Sequence, residues 1–146
     1  MLIRNLMLIS SVCSLLAALL HVYIIVKGPW AYRFFGAGET LATMAERGSW
    51  LPGLLTAGIT VVFIVFAAYF GAGAGLLPSL PYMRVALIGI AAIYTLRGAL
   101  VLPVWLAGTR ISAFDLWSSL VSLGIGLLHC AAVALWLRAC ETTRSA

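Results

Sequence analysis

Ionisable side chains interrupt the long apolar stretches of this sequence at three positions, and another lies near the start of the last stretch: His21, Arg97, His129 and Asp115. A guanidinium inside hydrocarbon is costly unless a carboxylate, carbonyl groups or water compensate its charge. Arg97 is therefore expected to have a partner. Glu39 or Asp115 is the predicted one.

These residue types predict a polar site for a small amphipathic or anionic molecule. Arg97 would supply positive charge, His21 a titratable donor or acceptor, and Tyr94, one helical turn before Arg97, a hydroxyl group. The alternative interpretation is structural: the arginine forms an ion pair with an acidic residue, and this pair serves only to fix the register of the helices. The predicted ligand-binding residues are His21, Arg97, Glu39, Tyr94, Asp115 and Arg33.

The two histidines do not predict a shared haem. His21 and His129 differ in depth by roughly 10 Å at the helical rise per residue. A catalytic triad of Ser122, His129 and Asp115 is excluded as well, because positions seven apart on one helix are about 10 Å apart along its axis. His129 is interpreted as a packing histidine.

The three cysteines give no sign of redox chemistry or metal binding. Cys13, Cys130 and Cys140 form no CxxC pair. A disulfide framework, a zinc site and quinone-linked thiol chemistry are therefore not indicated. We expect neither a metal nor another cofactor.

Four apolar stretches must position these residues: about 6–26, 53–74, 85–106 and 114–137. Each is close to the ~20 residues that an α-helix needs to cross a hydrocarbon core. The chain is 64% hydrophobic and 9% charged, whereas soluble domains average roughly 25% charged residues. The sequence predicts an all-α, antiparallel four-helix membrane bundle that forms a single domain over residues 1–146.

Charge and span number bear on partners and orientation. The net charge is +5, but the basic residues are scattered along the chain, so membrane lipids are the expected partner and nucleic acid is not. An even number of spans places both termini on one side. Loop charges do not select a side, and we expect the bacterial cytoplasmic membrane with cytoplasmic termini.

The first connection, residues 28–52, is the only long one. Its aromatic, charged and small residues predict a short interfacial helix or a re-entrant cap over one mouth of the bundle, or else a solvated loop. His21 and Arg97 lie roughly 8 and 13 Å inside this side of the membrane at the helical rise per residue. We expect both to meet Asp115 and Glu39 at that mouth.

Small residues recur every fourth position on the last span: Ser118, Ser122, Gly126, Cys130 and Ala134. Such spacing lets a neighbouring backbone approach closely, so this is predicted to be a helix-packing face. Gly71 and Gly75 repeat the spacing at the end of the second span. Either set could serve the bundle, a homo-oligomer or another membrane protein.

Short motifs lie in the first third of the chain, namely His21-Val22-Tyr23-Ile24 and then Phe35-Gly36, and a leucine-rich third span follows. These features resemble a family of small four-span bacterial membrane proteins of unknown function. The chain departs from the family pattern at Val26-Lys27, because members of the family commonly have an acidic residue there. The resemblance implies a four-span topology and no activity.

Three functions are compatible with these features. The first is binding or carriage of a small amphipathic or anionic ligand in the half of the bundle nearest the first loop. The second is a structural or accessory subunit of a larger membrane complex. The third is a membrane-embedded enzyme with His21 and Glu39 as an acid–base pair.

Overall fold

The computed structural model describes residues 1–144, which form seven α-helices. Four helical segments are long and apolar enough to cross a membrane: Leu2–Lys27, Leu51–Gly73, Met83–Leu106 and Ala113–Thr142. The prediction of an all-helical chain with four candidate membrane spans is confirmed. The helices are α1 (Leu2–Lys27), α2 (Pro29–Phe34), α3 (Glu39–Glu46), α4 (Leu51–Gly73), α5 (Met83–Ala99), α6 (Val101–Leu106) and α7 (Ala113–Arg144).

Two helices are longer than the apolar stretches that predict them. α1 already begins at Leu2 and includes Arg4, and α7 continues to Arg144, well past residue 137. Hydropathy locates the part of a helix that fits hydrocarbon, whereas a helix continues through polar residues until a cap or breaker ends it. Arginine is a good helix former, so α1 includes Arg4 and α7 continues through Arg138.

The third span is interrupted at Leu100, where α5 ends and α6 begins. Pro103 explains the interruption. It has no backbone N–H to donate to the carbonyl of Ala99 four residues earlier, and its ring crowds that carbonyl. The interruption lies just beyond Arg97, so it shapes the surroundings of that side chain.

The described residues group into two compact units, residues 1–13 with 66–144, and Ser14–Val65. In the first unit, α5 and α7 pack closely because of two glycines. A Cβ on Gly126 would lie 2.6 Å from the backbone nitrogen of Thr95, and one on Gly98 would lie 2.6 Å from Cα of Leu123. Both separations are far inside van der Waals contact.

The predicted small-residue face of α7 is turned toward α5. Ser122 donates a hydrogen bond to the carbonyl of Tyr94 at 3.1 Å. The sulfur of Cys130 lies 3.6 Å from the hydroxyl of Thr95. Together with the contact of Gly126, these contacts explain why small residues recur on this face.

Also in the first unit, the beginning of α1 packs on the end of α4. Ser11 donates to the carbonyl of Ala67 at 2.7 Å. A Cβ on Gly71 would meet the Ser11 hydroxyl at 3.6 Å. The structure gives Gly75 a role other than packing, because a Cβ there would meet nothing within 4 Å. Its φ of 77° ends the helical segment in the left-handed conformation that glycine adopts without strain.

The second unit buries a small apolar cluster of Ile24, Ala31, Tyr32 and Ala42. The residues of the first connection that contribute to it lie on the short helices α2 and α3, so this segment is helical. A re-entrant path for it stays a prediction, as do the antiparallel arrangement of all four spans and the orientation. The predicted single domain also stays a prediction, and residues 145–146 lie outside the described part of the chain.

Candidate functional site

Arg97 lies near the end of α5 and reaches across to α7. Its Nη1 donates a hydrogen bond to the hydroxyl of Ser119 at 3.2 Å, and its Nη2 lies 3.4 Å from the hydroxyl of Ser118. Ser119 is buried. The position nine residues before the end of α6 places Arg97 roughly 13 Å along the helix from that end.

These contacts correct the prediction of Asp115 as the carboxylate partner of Arg97, whereas a pairing with Glu39, in the other unit, stays a prediction. Within its unit the guanidinium bonds to serine hydroxyls and forms no ion pair with Asp115. Asp115 instead completes the cap of α7. Its carboxylate accepts a hydrogen bond from Ser112 at 2.7 Å, while its own N–H donates to the Ser112 hydroxyl at 3.0 Å. A carboxylate is also stabilised by the partial positive charge at a helix start.

A cavity of about 240 Å³ opens beside Arg97. A second guanidinium, from Arg110 in the connection between α6 and α7, lines the same cavity. Two positive side chains and one carboxylate therefore face this space. The polar lining residues are Arg97, Arg110, Asp115 and Ser119, and the apolar ones are Leu100, Val101, Val104 and Ile111.

An apolar cavity of about 310 Å³ adjoins the first one. The two share Val101 and Ile111 as lining residues. Apart from Thr109, the rest of its lining is hydrophobic, namely Leu102, Trp105, Leu116 and Leu120. A polar space beside an apolar one is suited to a molecule that carries both kinds of group.

Sequence reasoning missed Arg110 and Ser119 as lining residues. Arg110 lies in a short connection, and nothing in the sequence shows that this connection folds toward Arg97. The spacing of Ser119 along α7 does indicate its position. Ser119 follows Asp115 by four residues, so both lie on one face of α7.

Tyr94 does not line the cavity beside Arg97. Its ring centroid lies 4.8 Å from that of His129 and 6.2 Å from that of Phe66. His129 is fully buried, its ring lies 4.3 Å from that of Phe70, and its Nδ1 is 2.8 Å from the carbonyl of Ile125. These contacts fit the interpretation of His129 as a packing residue.

His21 belongs to the second unit and is half-buried. Its Nδ1 lies 2.8 Å from the carbonyl of Ala17, one turn earlier on α1. The ring centroid is 5.0 Å from that of Phe63. The contacts that the structure gives for His21 are therefore with a backbone carbonyl and an aromatic ring. The proximity of His21 to Arg97 stays a prediction.

A cluster of charged side chains in the second unit is centred on Arg33. Its guanidinium donates to Glu39 through Nε at 2.9 Å and through Nη2 at 2.6 Å, and to Glu46 through Nη1 at 2.6 Å. Hydrogen bonds from Arg33 lower the pKa of the Glu39 carboxyl and that of the Glu46 carboxyl. The same bonds, first those with Glu39, raise the pKa of Arg33. Arg33 and Glu39, both predicted site residues, are thus brought together as an ion pair.

No metal site is formed within the described residues, since no three histidine, cysteine or acidic side chains come together there. The cysteines are free thiols. The chemistry available beside Arg97 is hydrogen bonding and ion pairing to an anion, because guanidinium groups match carboxylate and phosphate oxygens in bidentate geometry.

Comparison with protein families, with characterised proteins and with solved structures found no significant match to this chain.

Proposed function

We propose that this protein binds or carries a small amphipathic anion, with its charged group at Arg97 and Arg110. The observation that carries the proposal is the pair of adjoining cavities at the junction of α5, α6 and α7. One contains two guanidinium groups, and the other is almost entirely apolar.

Charge supports an anionic ligand. The Arg97 guanidinium is held by two neutral hydroxyls within its unit. Hydroxyls satisfy its donors without neutralising its charge, and an uncompensated guanidinium inside a span is costly. Asp115 contributes one negative charge to a cavity lined by two positive ones. An anionic ligand would complete the neutralisation and accept hydrogen bonds from both guanidiniums.

Shape supports an apolar tail. Together the cavities fall within the size range of small-molecule sites, which runs from about 300 to 1,000 Å³. Trp105 and Leu120 contribute apolar surface to the second cavity. Arg110 and Ile111, in the connection that follows α6, line the first cavity, so a ligand would enter from that end of the α5–α7 pair.

The contacts of Glu39 favour binding over acid–base catalysis. Its carboxylate is ion-paired with Arg33, and its pKa is lowered by hydrogen bonds from that side chain. A carboxyl with a lowered pKa is a weaker base. This pairing supports a structural role for Glu39 in the first connection.

The test is binding of dansyl-undecanoic acid, a fluorescent amphipathic carboxylate, to the purified protein in neutral detergent micelles. Arg97→Gln removes the charge and keeps a polar, shorter side chain. We expect its Kd for the probe to rise about tenfold, since a charge-assisted hydrogen bond contributes ~1.5 kcal/mol or more. Asp115→Asn should lower the Kd, because it removes the competing negative charge from the cavity.

Arg4→Gln is the matched control, because it removes one positive charge from α1 outside both cavities. Its Kd should equal that of the unmodified protein. Equal loss of affinity in Arg97→Gln and Arg4→Gln would show that the probe responds to net charge alone, and the proposed site would be rejected.

A further inference from the structure

A third cavity, of about 460 Å³, lies between α5 and α7 away from the proposed anion site. It shares no lining residue with the two cavities described above. Small side chains form part of its wall, among them Ala91, Ala92 and Ala134. We refer to this cavity as the α5/α7 groove.

The α5/α7 groove offers almost no polar group to a ligand. Its two polar side chains, Thr95 and Cys130, lie 3.6 Å apart. The Thr95 hydroxyl also donates to the carbonyl of Ala91 at 2.8 Å. Since the hydroxyl is already satisfied, the groove is suited to a hydrocarbon chain.

Two arginines lie near one end of the groove. Arg84 precedes Ile88 by four residues on α5, and Arg138 follows Ala134 by four residues on α7, so each lies on the groove face of its helix. Both arginines are exposed. Glu141 lies on the same turn of α7 as Arg138, and the three side chains together carry a net positive charge.

We propose that the α5/α7 groove binds an acyl chain of an anionic phospholipid whose phosphate contacts Arg84 and Arg138. Basic residues between membrane helices are a recurring recognition device for anionic headgroups. A zwitterionic lipid could fill the groove with the same acyl chain, but it would gain less from two guanidiniums. Charge at the end of the groove therefore selects the headgroup, and the apolar wall selects the chain.

The test is native mass spectrometry of the protein released from micelles that contain phosphatidylglycerol and phosphatidylcholine with identical acyl chains. We expect the unmodified protein to retain phosphatidylglycerol preferentially. In the double variant Arg84→Gln with Arg138→Gln the preference should fall, by roughly fivefold for each guanidinium removed. Arg4→Gln removes a positive charge outside the groove and should keep the preference.

A second pair of variants tests the apolar wall. Ala134→Leu fills part of the groove and should reduce retention of both lipids, whereas Ala131→Leu adds the same volume on an exposed position of α7 that does not line it. Circular dichroism would check that both variants keep their helical content.

Two outcomes would overturn the proposal. One is an equal preference for phosphatidylglycerol in the unmodified protein and in the double arginine variant. The other is a protein dimer that Ala134→Leu dissociates and Ala131→Leu does not, which would assign the groove to a second copy of the chain. Neither result depends on the fate of the dansyl probe at Arg97.

Discussion

Arg33 forms ion pairs with two carboxylates of the first connection, so these three charged side chains lie together. Its bonds to Glu39 and Glu46 are each as short as 2.6 Å. Because the folded protein stabilises the ionised carboxylates, their pKa values are lowered. This contribution to stability is present above the ordinary carboxyl pKa of ~4.3 and is lost as the pH falls through the lowered values.

The corresponding prediction concerns the titration of these carboxyls, followed by NMR of protein labelled with ¹³C in the glutamate side chains. We expect Glu39 and Glu46 to titrate below ~4.3, and Arg33→Gln to bring both midpoints up toward that value. Arg47→Gln is the matched control, because it removes a cation of the same segment that makes no ion pair with either carboxylate. Midpoints that do not move in Arg33→Gln would contradict the role assigned to Arg33.

The environment of Arg97 was only partly predictable at the level of single residues. Its position inside a span follows directly from hydropathy. The partners of Arg97 do not follow from hydropathy. Asp115 could play either of two roles at the start of α7, and the sequence does not distinguish them. The carboxylate could pair with the guanidinium or cap the helix with Ser112, and the structure has the second arrangement. The guanidinium is left to the hydroxyls of Ser118 and Ser119.

At the scale of helices, α5 and α7 make the closest helix contacts that depend on glycine among the described residues. Replacement of Gly98 or Gly126 by alanine would place a methyl group in the backbone of the facing helix. We expect each variant to lose about 1–3 kcal/mol of unfolding free energy, the usual cost of overpacking. Reversible unfolding in mixed dodecylmaltoside and SDS micelles would measure this loss.

Two other glycines of the same helices provide the controls. A Cβ on Gly89 of α5 or on Gly124 of α7 would meet nothing within 4 Å. Gly89→Ala and Gly124→Ala should leave the unfolding free energy unchanged or raise it, since alanine is the better helix former by up to about 1 kcal/mol. If all four variants behaved alike, close backbone approach would not be what holds α5 against α7.

The helices themselves were predictable to different degrees. Uninterrupted apolar length predicts four spans, and the structure has four segments of that kind. The break at Leu100 was not predicted, although Pro103 was visible, because a proline near a helix end can either kink a helix or be tolerated there. The role of Gly75 was also ambiguous in the sequence. Glycine occurs both on helix-packing faces and at helix ends, and its spacing alone does not show which role it has.

At the scale of the whole molecule, the polar features of the α5–α7 pair divide between its two ends. Arg97, Arg110 and Asp115 lie where α5 and α6 approach the start of α7. Arg84 and Arg138 lie near the opposite ends of those helices. The two proposed sites therefore face opposite surfaces of a membrane that these spans cross. The orientation of the protein in the membrane then determines from which side of the membrane each site receives its ligand.

Sidedness gives the last prediction. If all four apolar segments cross the membrane, the first connection and the connection after α6 lie on one side, and the connection between α4 and α5 lies on the other. In a background without Cys13, Cys130 and Cys140, we expect Thr40→Cys and Thr109→Cys to react with a membrane-impermeant maleimide from the same side of sealed vesicles. Ser79→Cys should react only from the opposite side.

All three positions are exposed, so a lack of labelling would reflect the membrane barrier and not burial in the protein. Detergent-permeabilised vesicles, in which every cysteine should react, provide the control. If Thr40→Cys and Thr109→Cys reacted from opposite sides, one of the two apolar segments between them, Leu51–Gly73 or Met83–Leu106, would not cross the membrane. The Arg97 cavity and the first connection would then lie on different surfaces, and His21 and Glu39 could not join Arg97 in one site. Reaction from the same side would keep that predicted grouping open.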